Sequence, residues 1–256
     1  MPTNPAMTDL PLKDRIALVV GASRGIGYES ALALAKAGAH VIATARTVGG
    51  LEELDDAIYA ATGNHATLIP FDLVDGGAID RLGGAIFERF GRLDIWVQAA
   101  ATMGASGLTP VSHADPRIWG KVEKTNFTAV YRLIRSLEPL LKGSDAGRAI
   151  YLTTSVAAAP RAFWGMYAAT KAGAEALLKC WADEIESMPI RVSIVDPGRM
   201  RTAMRAQAFP GEDPETVVHP SVIGPLIVEL ARGNREPPLE ISFREWSQGP
   251  GVAALI

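Results

Sequence analysis

The run IALVVGASRGIG, residues 16–27, decides the fold. Ile16 to Val20 are apolar without interruption, as in a strand buried on both faces of a parallel sheet. Gly21, Ala22, Ser23, Arg24, Gly25, Ile26 and Gly27 follow at once, with glycines spaced G-x3-G-x-G. Tyr28 to Ala37 is rich in alanine and leucine and stops at Gly38, which predicts a helix with a glycine C-cap. A glycine turn between a buried strand and a helix N-terminus lets the backbone approach a pyrophosphate, whose charge the helix amides stabilise.

Strands and helices alternate outward from this unit. Strands are predicted at His40 to Ala45, Ala66 to Phe71, Leu93 to Ala100, Ala149 to Thr154, Ile190 to Val195 and Leu239 to Phe243. Helices are predicted at Leu51 to Ala61, Ile79 to Phe90, Pro116 to about Leu141 with Asp115 as N-cap, Phe163 to about Ser187, and Ser221 to Ala231. Such alternation implies an α/β fold, a parallel sheet with helices on both faces. The segment Arg199 to Pro220, of mixed composition around Pro210 to Pro214, reads either as a substrate-covering loop or as a long surface loop. The tail to Ile256 is apolar, and no internal repeat or linker interrupts the chain, so one domain over 1–256 is expected.

With 256 residues the chain is long enough to bury a large core. Its formal net charge is -3 with basic residues scattered, which leaves no electrostatic footprint for nucleic acid or an anionic membrane. Met1 to Arg15 has no basic start followed by an apolar core, and no stretch of about 18 uninterrupted apolar residues occurs. A soluble cytoplasmic protein is the expectation. The one cysteine, Cys180, lies beside Leu177, Leu178 and Trp181 and reads as core filler. His40, His65, His113 and His219 lack metal-ligand spacing, so no metal is expected.

Tyr167 and Lys171 stand four apart on a predicted helix, after the hydroxyl-rich strand end Thr153, Thr154, Ser155. Residues i and i+4 share a helix face, so the ammonium can favour the ionised phenol, each unit of pKa being worth about 1.4 kcal/mol. By itself the pair reads more readily as a surface pair. In the long helix, Ile118, Val122, Ala129, Leu133 and Leu137 form an apolar stripe, and Asn126 fills a gap in it. A buried amide needs partners: a kinked helix backbone, a proton-relaying water, or simply a satisfied core site.

Gly21 through Gly27, Asn126, Tyr167 with Lys171, and Pro197, Gly198 with Thr202 together resemble the short-chain dehydrogenase/reductase family, classical type, over Leu12 to about Phe243. The resemblance implies a Rossmann-like sandwich with a seven-stranded parallel sheet, and hydride transfer between nicotinamide and a carbonyl or alcohol. Tyr167 is then the general acid or base, Lys171 lowers its pKa and holds the nicotinamide ribose, and Asn126 anchors a relay water. Gly21, Ser23, Gly25, Ile26, Gly27, Ala100, Ala101, Pro197 and Gly198 are implied around the cofactor, with Asp72 and Leu73 at the adenine and Thr202 at the carboxamide. Asp72 reads equally as a helix cap. The family forms dimers or tetramers, so a homo-oligomer is implied.

The chain departs from the family in two places and, by a smaller change, in a third. Counting thirteen residues back from Tyr167, where the family usually has serine, gives Thr154, with Ser155 next to it; either hydroxyl can polarise a carbonyl. Gln98, Ala99, Ala100 and Ala101 replace an Asn-Asn-Ala-Gly stretch, and Val20 stands where threonine commonly precedes the first glycine.

An NAD site of this fold carries a carboxylate at the end of the second strand. Ala45 occupies that place, and Arg46 and Arg24 can bracket a 2′-phosphate, so NADP(H) is expected over NAD(H). Met103, Phe163, Trp164, Met166, Met200 and Met204 suggest an apolar or aromatic carbonyl substrate, while Arg161, Arg199, Arg201 and Arg205 leave an acidic one open. The alternative from another class is a catalytically impaired NADP(H)-binding sensor or regulatory protein.

Overall fold

The computed structural model describes residues 10–105, 107–234, 236–249 and 252; the segment before Leu10 and the apolar tail beyond Val252 lie outside the described residues. Seven strands form one parallel sheet: β1 (Ile16–Val20), β2 (His40–Ala45), β3 (Thr67–Pro70), β4 (Ile95–Gln98), β5 (Gly147–Leu152), β6 (Ile190–Asp196) and β7 (Glu240–Ser242). Their order is β3-β2-β1-β4-β5-β6-β7. The chain therefore leaves β1 toward one side of the sheet and returns through β4 on the other, and ligands of such sheets bind in the crevice at this switch point. Val20 pairs with both Thr44 and Gln98, which aligns the C-terminal ends of three strands.

Successive strand residues feed opposite cores. Ala17, Val19, Val41, Ala43 and Val97 pack on one face against α1 (Gly25–Lys36), α2 (Val48–Thr62) and the later helix over Gly224–Ala231. Leu18, Val20, Ile42, Trp96 and Tyr151 pack on the other, against α3 (Gly76–Phe90) and the helices that carry Leu133, Leu137, Leu178 and Trp181. Burial on both faces explains why the strands read as apolar runs rather than alternations.

The long helix predicted over 116–141 is in three parts: α4 (Pro116–Glu123), a π-helical turn (Lys124–Thr128) and α5 (Ala129–Leu141). Asp115 caps α4 as expected, its carboxylate accepting from Arg117 N at 2.7 Å. The interruption falls on Asn126, as π turns commonly do at functional positions. A short helix, α6 (Ser155–Ala158), follows β5 and was not legible as such. α7 (Gly165–Glu184) carries Tyr167 and Lys171. Within 199–220 the chain forms α8 (Ala203–Ala208) and a 3-10 turn at Pro214–Thr216, so the segment is more regular than a loop. α9 (Gly224–Ala231) is entered through a 3-10 turn at Pro220–Ile223, and α10 (Phe243–Trp246) follows β7 directly.

Cys180 corrects an expectation. It is exposed on α7, because Leu178 and Trp181 turn one helix face inward and residue 180 falls off that face. Among the described residues no helix is long and apolar enough to cross a membrane, and no group of three or more His, Cys, Asp or Glu side chains converges.

Candidate active site

A cleft of about 400 Å³ opens at the C-terminal edge of β1, β2, β4 and β5. Its first wall is the glycine turn. Gly21, at φ +89°, sits in a region that favours glycine, and its N–H and that of Ala22 donate to the Thr44 carbonyl at 2.8 and 3.0 Å. A Cβ on Gly27 would lie 2.1 Å from the Gly21 carbonyl oxygen, so the packing of α1 on the turn requires glycine there. Arg24 is the N-cap residue of α1 but offers no side-chain acceptor, and the first turn contains no acid. The first-turn amides thus carry the positive end of the helix dipole toward the cleft with no internal anion, which fits a pyrophosphate.

The second wall comes from the ends of β2 and β3. Ala45, Arg46, Asp72 and Leu73 all line the cleft, as does Arg24. Arg46 is exposed and stands 4.0 Å from the Asp72 carboxylate, an arrangement that contributes little to stability and leaves the guanidinium accessible. Asp72 accepts from Val74 N at 3.2 Å, and the N-cap of α3 is Asp75. Asp72 therefore belongs to the cleft rather than to the helix start.

The third wall holds the chemistry-bearing side chains. Tyr167 and Lys171 share the inward face of α7, both buried and both lining the cleft. The Lys171 ammonium donates to the Leu152 carbonyl at 2.6 Å and stands 4.0 Å from the centre of the Tyr151 ring. Burial brings its pKa down to about 7, against a smaller opposing pull from Glu175. Burial, aided by the charge of Asp196, raises the Tyr167 phenol well above its usual range. The simple expectation that the ammonium favours phenolate is thus outweighed within the protein by desolvation, and the protein's own groups hold Tyr167 as a phenol. Thr154 lines the cleft, whereas Ser155 is exposed at the start of α6 and does not. Asn126 is buried behind the wall: its carboxamide oxygen accepts from Thr102 N at 2.8 Å, and its nitrogen donates to the Thr102 carbonyl at 2.8 Å and to Thr170 Oγ1 at 3.1 Å. Its side chain ties the segment after β4 to α7.

The fourth wall is the segment after β6. Pro197, Gly198, Met200, Thr202, Met204 and Arg205 line it. Thr202 caps α8, accepting from Arg205 N at 3.2 Å, and its methyl lies 3.3 Å from where a Gly25 Cβ would stand. Gln207 donates to the Gly104 carbonyl at 2.9 Å, and Trp164 stands between Tyr167 and Phe209 with ring centres 5.9 and 6.0 Å apart. α8 is therefore latched over the cleft from both sides. Phe163 and Met166, expected near the substrate, are not on its wall: Phe163 points outward and Met166 is packed inside.

These walls can be compared with proteins already known. A family model described as short chain dehydrogenase matches residues 15–213. The chain belongs to the short-chain dehydrogenase family. It is 38% identical over 221 residues to the "uncharacterized oxidoreductase YciK" of Escherichia coli, covering 86% of each chain. It is 30% identical over 202 residues to 2,3-dihydro-2,3-dihydroxybenzoate dehydrogenase of Bacillus subtilis, covering 79% of this chain and 76% of that one. A Shigella flexneri chain of this family, crystallised with NADP, superposes with a TM-score of 0.87 at 36% identity, covering 92% of this chain and 99% of that one. An Escherichia coli chain crystallised with NADPH gives 0.86 at 36% identity, with 92% and 99% covered.

As a short-chain dehydrogenase the chain has one altered junction, and the structure shows how it is filled. Gln98 is buried at the end of β4, and its side-chain nitrogen donates to the Ala100 carbonyl at 3.2 Å while its oxygen has no partner. Ala99 N and Ala100 N both donate to the Val20 carbonyl at 2.9 Å. A Cβ on Gly21 would meet Ala100 N at 2.6 Å, so the segment leaving β4 passes directly against the first glycine. Residues missed by sequence reading also line the cleft, among them Thr44, Thr47, Thr102 and Thr125. For Thr44, Thr47 and Thr102 the single signal is position, at or just past strand ends, whereas Thr125 lies in the π turn and carries none.

Proposed function

We propose that this short-chain dehydrogenase is an NADP(H)-dependent oxidoreductase acting on a neutral, apolar or aromatic carbonyl or alcohol. One observation carries the reading: a single cleft unites the uncapped α1 N-terminus, Arg24 and Arg46 with no carboxylate at Ala45, and the buried Tyr167 and Lys171. The NADP and NADPH in two structures of similar chains support the cofactor choice.

The glycine turn and first-turn amides of α1 would hold the pyrophosphate, Arg24 and Arg46 the 2′-phosphate, Asp72 and Leu73 the adenine end, and Thr202 the carboxamide. When bound, the nicotinamide supplies or accepts the hydride. Tyr167, kept protonated by burial, donates its proton to a carbonyl oxygen in reduction and takes it back in oxidation. Thr154 Oγ1 accepts from Val156 N at 3.5 Å, which leaves its own proton to polarise the same oxygen, whereas Ser155 is turned away. Lys171 places a positive charge beneath this centre and becomes a better proton donor as its pKa falls toward working pH.

Substrate character follows from the lid. Arg205 is forked onto Glu212, with Nε to Oε2 at 2.6 Å, and Arg201 is paired with Glu215. These cations are neutralised within the lid segment itself, leaving Met103, Trp164, Met200 and Met204 to present an apolar wall. Trp119 and Tyr131, exposed on α4 and α5, suit these helices to association with a second copy, as a soluble cytoplasmic homodimer or homotetramer would require.

The test is a consumption screen with NADPH against aliphatic, aromatic and steroid-like ketones and aldehydes, run with NADPH and NADH binding on the same sample. Turnover of a neutral carbonyl with NADPH is expected. Tight NADPH binding with no turnover across the panel would instead favour the sensor.

A further inference from the structure

Among the described residues, the cleft walls carry Arg24, Arg46, Lys121, Lys171 and Arg205, with Asp72 as the acid. Lys171 is engaged by the Leu152 carbonyl and Arg205 by Glu212, while Arg46 stands 4.0 Å from Asp72. Lys121 is different. It is exposed on α4, and no hydrogen bond or ion pair with a described residue engages its ammonium. A charge on a helix is relieved by an opposite charge three or four residues away and opposed by a like one. Around Lys121 those positions hold Arg117, Ile118, Lys124 and Thr125, so the helix offers it no acid, and Arg117 itself leans on Asp115 at 3.7 Å.

The packing of the helices fixes which end of the cleft Lys121 serves. α5 runs beside α3 in the same direction: Arg132 pairs with Asp80 at 2.8 Å and lies against Gly76, and Ser136 donates to the Ile79 carbonyl at 3.0 Å and accepts from Gly83 N at 3.1 Å. Followed back from Arg132 through the π turn, the helix passes the start of α3 at Gly76. Thr125 and Lys121, one turn apart, then line the cleft at the level of the β3–α3 connection, where Asp72 and Leu73 line it too. The bonds between Asn126 and Thr102 hold this stretch of helix to the exit of β4. Lys121 thus borders the adenosine end from α4, whereas Arg24 and Arg46 border it from α1 and β2.

We infer that Lys121 is a third cation for the 2′-phosphate, a residue that favours NADP(H) over NAD(H) by its charge. This role rests on the NADP(H) reading proposed above. The need for it comes from Asp72. A phosphate monoester brings about 1.5 to 2 negative charges at neutral pH. When Arg46 turns to such a group, the Asp72 carboxylate loses its nearby guanidinium and stands beside a like charge, and a further cation on the α4 wall offsets the repulsion. A lysine suits this task, being a point charge on a flexible stem that requires no fixed fork geometry.

The experiment is isothermal titration of the full chain with 2′,5′-adenosine diphosphate and with 5′-adenosine monophosphate, ligands that share the adenosine and differ in the 2′-phosphate. In Lys121→Gln the affinity for the diphosphate should fall about threefold to fivefold at low ionic strength, as for an exposed ion pair, and that for the monophosphate should hardly change. The gap should narrow at high salt, and Lys121→Arg should stay near wild type. Lys124→Gln, exposed on the same helix but off the cleft wall, should match wild type. Because the Lys121 side chain is exposed and unpartnered, thermal unfolding of Lys121→Gln should match wild type as well. Equal losses for the two ligands would put Lys121 on the adenine ring and overturn the phosphate role. An unchanged diphosphate affinity, or the same loss in Lys124→Gln, would overturn it too. Wild-type protein that fails to bind the diphosphate refutes the NADP(H) reading and this role with it, whereas wild-type binding with an unmoved Lys121→Gln refutes the role of Lys121 alone.

Discussion

The Lys171 ammonium is gripped by β5, with the Leu152 carbonyl at 2.6 Å and the Tyr151 ring centre at 4.0 Å, and is nonetheless buried enough to titrate at about 7. A lysine in this position burdens the fold. Its pKa falls from 10.5 in the unfolded chain to about 7, so between those values the unfolded chain binds more protons and stability from this group rises with pH. Below about pH 7 the cost is present in full and amounts to several kcal/mol at about 1.4 kcal/mol per unit. Lys171→Met should therefore be more stable than wild type at neutral and acid pH, with the difference shrinking toward pH 10.5, while turnover is lost. Denaturant unfolding at several pH values checks both sign and window. A variant less stable than wild type at neutral pH would contradict the buried-cation account.

Arg46 is exposed at the end of β2 with only a loose contact to Asp72, so its guanidinium is free to read a phosphate. Arg46→Ala should weaken NADPH by about tenfold to a hundredfold, the ~1.5–3 kcal/mol typical of a charge-assisted hydrogen bond, and leave NADH nearly unchanged. Equal losses for the two nucleotides in a fluorescence titration would remove Arg46 from the phosphate site.

Gly27 has no room for a side chain, since a Cβ would stand 2.1 Å from the Gly21 carbonyl oxygen. Gly27→Ala should push α1 off the turn, cost ~1–3 kcal/mol of stability as an overpacked core does, and abolish nucleotide binding. Thermal unfolding and NADPH fluorescence together test this, and a variant that binds normally would show that the turn is not the pyrophosphate seat.

Trp164 couples the lid to the phenol, with Phe209 on one side and Tyr167 on the other. Trp164→Ala should raise KM for aromatic ketones about tenfold, or ~1.4 kcal/mol, and change that for short aliphatic ones far less. The ratio of kcat/KM between the two substrate types is the measurement, and an unchanged ratio would place the aromatic wall elsewhere.

The strands were legible because burial on both faces makes each an apolar run ended by glycine, proline or polar residues, and the β1–α1 unit was legible down to the pairing of turn and helix. Their ends were not. The helix after β1 begins at Gly25 rather than Tyr28, since the glycines that suit a turn also form the first helical turn. Asn126 interrupting an apolar stripe announced an irregularity, but its form, a π turn tying Thr102 to Thr170, depends on contacts across the fold. The choice between Thr154 and Ser155 depended on α6, a four-residue helix whose cap is Thr154 itself and whose existence no periodicity reveals. Cys180 is exposed despite Leu177, Leu178 and Trp181 beside it, because apolar neighbours in sequence need not be neighbours in space.

The most direct test is a paired measurement of NADPH affinity and NADPH consumption for wild type and Tyr167→Phe with one accepted carbonyl. The variant retains the ring that packs beneath Trp164 and loses only the hydroxyl. Turnover should drop by about two to four orders of magnitude, the usual worth of a positioned acid, with nucleotide affinity nearly intact. Retention of more than about a few per cent of wild-type turnover, well above that range, would contradict the assignment of Tyr167 as the proton donor and with it the mechanism.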